Sequence, residues 1–82
     1  MGIQRLGLEP GEKVRFRRVD KARWQDGVAV GIERDGSLAV HDRDGAARAV
    51  PIELVLVRAP GRGLHWEPLV DRAARTVQLS LF

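Results

Sequence analysis

The sequence predicts an all-β fold, a small closed barrel followed by a C-terminal arm that contains a short helix. Three observations predict it. Short runs between residues 13 and 57 alternate apolar with polar side chains, the period-2 pattern of half-buried strands. Arg-Asp-Gly occurs twice, at Arg34-Asp35-Gly36 and Arg43-Asp44-Gly45. Asp-Gly between alternating runs marks a tight hairpin, because Gly accepts positive φ and Asp tolerates it. After Arg58 the composition shifts to Ala59-Pro60-Gly61-Arg62-Gly63, which has the Pro and Gly density of a linker.

The elements follow in order. Lys13–Val19 sets Val14 and Phe16 against Arg15 and Arg17, a first strand with one basic face. Val28, Val30 and Ile32 alternate with Ala29, Gly31 and Glu33 and give a second strand ending at the first Asp-Gly turn. Leu38–Asp42 is a third strand shared by both hairpins, and Ala46–Ile52 is a fourth that closes with Pro51. Glu53–Val57 is a last strand, entered through a helical turn. Four or five short strands in so few residues favour closure, since an open sheet of this size leaves edges unpaired. In the arm, Pro68 precedes Leu69–Arg75, whose helix formers and Leu69/Ala73 spacing predict a helix of under three turns. Trp66 is placed to pin that helix to the barrel, and Trp24 to fill the small core.

Composition narrows the function. Eighty-two residues hold one domain. There is no Cys and no Tyr, the serines are Ser37 and Ser80, and His65 lies in the expected linker. No nucleophile, base and orienting group fall together, so no catalytic residues are expected, and no cofactor or small-molecule substrate. His41 and Asp42 alternate to opposite strand faces, and Asp44 has a turn to make, so no metal site is expected. No apolar run reaches the ~18 residues of a membrane span, and Met1–Arg5 lacks an apolar leader stretch. The expectation is a cytoplasmic, nucleoid-associated protein. Net charge is +3, unevenly spread: residues 1–24 carry seven Lys/Arg against three Asp/Glu, while residues 25–57 carry three against six.

Two resemblances follow from these residues. Pro10-Gly11-Glu12-Lys13-Val14-Arg15-Phe16, Trp24-Gln25-Asp26-Gly27-Val28-Ala29-Val30 and Asp35-Gly36-Ser37-Leu38-Ala39-Val40 resemble the SH3-like barrels of the Tudor and KOW type. The match covers residues ~8–58, and it implies a barrel over 8–58, a linker and short helix over 59–77, and a terminal peptide over 78–82. That peptide, Gln78-Leu79-Ser80-Leu81-Phe82, resembles the consensus by which bacterial polymerases and mismatch-repair proteins engage the sliding clamp. All five positions match, and by average residue usage chance gives such a match at one location on the order of once per million chains. The resemblance implies a non-enzymatic DNA replication or repair accessory protein whose partner is the clamp. It implies Leu81 and Phe82 in the deeper part of an apolar groove, Leu79 in a shallower part, and Gln78 as the polar anchor.

Each feature also has a plainer reading. Val77, Leu79 and Leu81 alternate with Gln78 and Ser80, as in a terminal strand pairing with the barrel. Arg15, Arg17, Arg18, Lys21 and Arg23, with Trp24, form a basic strand and loop suited to phosphate contact and base stacking, toward DNA or an RNA polymerase complex. The same charges would equally keep an exposed sheet edge from pairing.

Overall fold

The structure, a computed structural model, describes residues 2–59 and 65–79, with the side chains of Gln78 and Leu79 outside the description. Six antiparallel strands make one sheet: β1 (Lys13–Phe16), β2 (Gln25–Ile32), β3 (Leu38–Asp42), β4 (Ala47–Val50), β5 (Val55–Arg58) and β6 (Trp66–Pro68). Their order is β4-β3-β2-β1-β5-β6. Short 3-10 turns at Ile3–Leu6 and Ile52–Leu54 flank the strands, and helix α1 (Leu69–Leu79) ends the described chain. The fold is therefore mostly β with one C-terminal helix.

The hairpins form where the Asp-Gly turns stand. Gly36 and Gly45 take φ of 92° and 83°, and each turn is braced by an aspartate. The Ser37 N–H donates to the Asp35 carboxylate, and the Asp44 and Ala46 N–H groups both donate to Asp42 Oδ1, all at 2.9 Å. These donors hold both carboxyls below the ordinary carboxylate range, through Ser37 for Asp35 and chiefly through Ala46 for Asp42.

The core holds Ile3, Leu8, Val14, Phe16, Ala29, Leu38, Val40, Val50, Val55, Val57 and Leu69. In β2 the buried residue is Ala29, not the valines beside it. The β2–β3 register shifts between Ala29 and Gly31, so Val30 is an extra residue on the bulged strand and stands exposed. One inserted residue reverses the alternation, which lets Ala29 and Ile32 both turn toward the core despite their odd spacing.

The expected closure does not occur: β4 and β6 are the two edges of an open sheet. Brevity protects them in place of pairing. β4 has four residues, and β6 has three, the last of them Pro68, which has no N–H to offer another strand. The sixth strand lies in the region expected as an arm, where it pairs Trp66 with Arg58 and Glu67 with Val57.

Helix α1 runs four residues past the expected Arg75, so Thr76–Leu79 is helical and not a terminal strand. Its inner face follows helical spacing: Leu69 is fully buried, and Arg72, Ala73 and Thr76 are half-buried behind it. This face meets the N-terminal 3-10 turn and the sheet side of β5 and β6. Arg72 fastens the contact, donating to Gly7 O, to Glu12 and to Arg58 O, with Glu67 3.7 Å away. The fold thus reaches beyond residues 8–58 at both ends, through Ile3 and through Leu69.

Candidate functional site

β1 lies between β2 and β5, at the centre of the sheet. Edge protection therefore does not explain its charges. Val14 and Phe16 point into the core, which sends Lys13, Arg15 and Arg17 to the other face. Two of these arginines lie over indole rings. The Arg17 guanidinium is 4.4 Å from the Trp24 ring centre, and that of Arg15 is 4.5 Å from the Trp66 ring centre, with Arg58 at 5.8 Å from the same ring. Neither tryptophan belongs to the core. Trp24 is 36% exposed, and Trp66 stands on β6, stacked with β1 and β5 side chains rather than pinning the helix.

Trp66, Val28, Gly27, Lys13, Arg43 and Arg58 are among the residues that line a groove of about 360 Å³ on this outer face. A second depression of about 240 Å³ is lined by Trp24 and Arg23 and shares Asp26, Asp42 and Arg43 with the first. The two tryptophans thus mark two ends of one continuous surface. Gly27 also lines the groove, but its vacant Cβ position faces inward, 2.7 Å from His41 O and 2.9 Å from the buried Phe16 ring.

The charges around the groove are unevenly committed. The Asp42 carboxylate is consumed by its own hairpin turn and by Arg48 at 3.2 Å, with its side chain only 7% exposed. Arg15 faces Asp26 at 3.4 Å, but both side chains are well exposed, so that pair is worth ~1 kcal/mol or less. An exposed cation–π contact adds only ~0.5–1 kcal/mol. Arg17 is held more firmly, by Asp20 at 2.8 Å and by the Trp24 ring, and its Nε is shielded without an acceptor among the described residues. Lys13 and Arg43 are exposed and make no ion pair among the described residues.

Of the basic residues singled out in the sequence, the structure brings Arg15, Arg17 and Trp24 to one face and puts Arg23 beside Trp24. Lys21 stands at the tip of the β1–β2 loop with φ of 68°, and Arg18 lines a separate depression beside β4. Lys13, Arg43, Arg58 and Trp66 were not foreseen as parts of this surface. Trp66 meets Arg58 through the register of β5 with β6, and a three-residue strand leaves almost no signal for that in the sequence.

The peptide Gln78–Phe82 lies partly outside the described residues. Gln78 and Leu79 form the backbone of the last turn of α1, and Ser80, Leu81 and Phe82 are not described. Among the described residues no three acidic, His or Cys side chains group as metal ligands, and no helix is long and apolar enough to cross a membrane. No family model, curated protein or solved structure matches the chain.

Proposed function

We propose that this chain is a non-enzymatic accessory protein of DNA replication or repair that binds the bacterial sliding clamp through Gln78–Phe82. The observation that carries the reading is the five-for-five match of Gln78-Leu79-Ser80-Leu81-Phe82 to the clamp-binding consensus. The position of the segment suits the role. Its first two residues close a helix whose inner face and Arg72 are committed to the sheet, so the peptide is carried on a well-anchored mount. Binding in extended form unwinds the last turn of α1, a low-cost event because helix ends fray most easily. We also propose that the domain is an SH3-like barrel variant. The strand order β4-β3-β2-β1-β5, the 3-10 turn between β4 and β5, and the bulge that bends β2 support it.

Burying Leu79, Leu81 and Phe82 gains roughly 1.5–3 kcal/mol each. Ordering the segment costs roughly 2–5 kcal/mol, and lost translational freedom costs more. The balance is transient binding near the micromolar range. The decisive experiment is a pull-down of purified clamp with the full chain and with the Leu81→Ala/Phe82→Ala double variant. Retention that disappears in the variant supports the proposal. Equal retention, or none with either protein, rejects it.

A further inference from the structure

The groove beside Trp66 has an occupant that its chemistry specifies. We propose that the outer face of the sheet binds single-stranded nucleic acid, with one base against Trp66 in the groove and neighbouring phosphates on Lys13, Arg15, Arg43 and Arg58.

The site joins features that are seldom useful separately. Val28 lines it beside the indole of Trp66. A flat apolar slot next to an aromatic ring takes a planar, unpaired base, and stacking of that kind tolerates any sequence. The rim is cationic. Lys13 and Arg43 are without ion-pair partners among the described residues, and Arg15 and Arg58 are exposed. Against them stands Asp26, because Asp42 is turned into its own hairpin. Arg15 is held by one exposed carboxylate and one ring contact, so it can leave Trp66 for a phosphate at little cost.

The second ring sets direction. Arg15 on β1 and Arg17 just past its end are two residues apart, about 7 Å along extended chain. Each meets its own tryptophan, and the depressions at Trp66 and Trp24 share the wall formed by Asp26, Asp42 and Arg43. Two stacking positions, with Lys13, Arg43 and Arg58 around the first and Arg23 beside the second, match a chain of alternating base and phosphate. A duplex cannot offer its bases to such a slot, and an acidic peptide has no use for two ring stations spaced this way. The site lies on the sheet and needs nothing from Gln78–Phe82.

The test uses the full chain and its intrinsic fluorescence, since Trp24 and Trp66 are its two tryptophans. In the Trp24→Phe variant, Trp66 alone reports. Oligothymidylate and oligouridylate of about twelve nucleotides, at ~50 mM salt, should each quench Trp66 saturably. A preference for one identifies DNA or RNA as the strand read, and equal binding means the 2′-hydroxyl is not sensed. With four phosphates engaged, the log–log salt slope should be near −3, at about −0.7 per contact on single strands. Lys13→Gln with Arg43→Gln should reduce that slope by about 1.4 and leave the melting temperature unchanged. Trp66→Ala should weaken binding by between about fivefold and a hundredfold. Trp66→Phe should retain most of the affinity, which separates lost stacking from lost folding. The proposal is overturned if Trp66 is not quenched. It is overturned equally if duplex binds as well as single strand, or if polyglutamate gives the same quenching and displaces the oligonucleotide.

Discussion

At Gly27 the backbone of β2 passes so close to its surroundings that no side chain fits. An added Cβ would lie 2.7 Å from His41 O and 2.9 Å from Phe16 Cε1. The first neighbour is backbone, and the second is a ring fully buried in the core, so neither yields easily. Gly27→Ala should therefore destabilise the protein by about 1–3 kcal/mol, as overpacking does. Thermal unfolding should show it as a fall in Tm of about 4–8 °C per kcal/mol in a domain of this size. An unchanged Tm would mean that β2 and β3 are free to part there. Arg15 and Arg17 were legible in the sequence, because alternation against Val14 and Phe16 fixes where they point. Trp66 was not, and Trp24 was read both as core and as part of the basic surface. Scarce aromatic residues in a small chain read as core, yet here the core is filled by smaller aliphatic side chains and Phe16, and both indoles are left to stack on guanidinium groups.

The strands were legible where turn chemistry fixed them, and least so where a bulge or a short pairing intervened. β3 fell at Leu38–Asp42 as expected because an Asp-Gly turn stands on each side of it. β2 hid its bulge, since Val28, Val30 and Ile32 alternate perfectly in sequence while the register shift throws Val30 out to solvent. Helix α1 is held at its start by ion pairs as well as by Leu69. Glu67 accepts from Arg75 and faces Arg72, and the Arg75 hydrogen bond, together with both charges, holds its carboxyl below the ordinary range. A carboxyl depressed in the folded state contributes stability that is fully present above its ordinary value, about 4.3, and that is lost as pH falls through the folded value. Glu67→Gln should accordingly lower Tm at pH 7 and flatten the loss of Tm between about pH 5 and pH 3, followed by circular dichroism. A variant as acid-sensitive as the parent would assign that sensitivity to Asp35 and Asp42 instead. Arg72→Met should cost about 1–3 kcal/mol in thermal unfolding, because it leaves Glu12 and Gly7 O without their shared donor in a half-buried place.

Across the whole molecule, the division that composition drew at Arg58 is not where packing divides the chain. Pro60, Gly61 and Gly63 read as a linker, but on their far side β6 continues the sheet and Leu69 completes the core. A chain cut after Ala59 should therefore lose cooperative folding, giving a broad thermal transition and rapid proteolysis. The same packing shapes what the clamp would meet. Gln78 and Leu79 begin the proposed binding peptide and also end α1, so in the full chain an extended bound form must first release that last turn. A synthetic peptide of residues 70–82 lacks the sheet and is too short to hold a helix alone, so it is already unwound. The peptide should then bind clamp in the micromolar range at least as tightly as the full chain, and within about tenfold of it. A full chain that binds more than tenfold tighter would place a second clamp contact on the sheet. Phe82→Ala should cost ~2 kcal/mol or more in both contexts, about thirtyfold in affinity, without moving the Tm of the full chain. Ser80→Ala should change little, because the consensus accepts either Ser or Asp at that position. If Phe82→Ala lowers Tm while peptide and full chain alike fail to bind, the last residues belong to the fold and the clamp reading is lost.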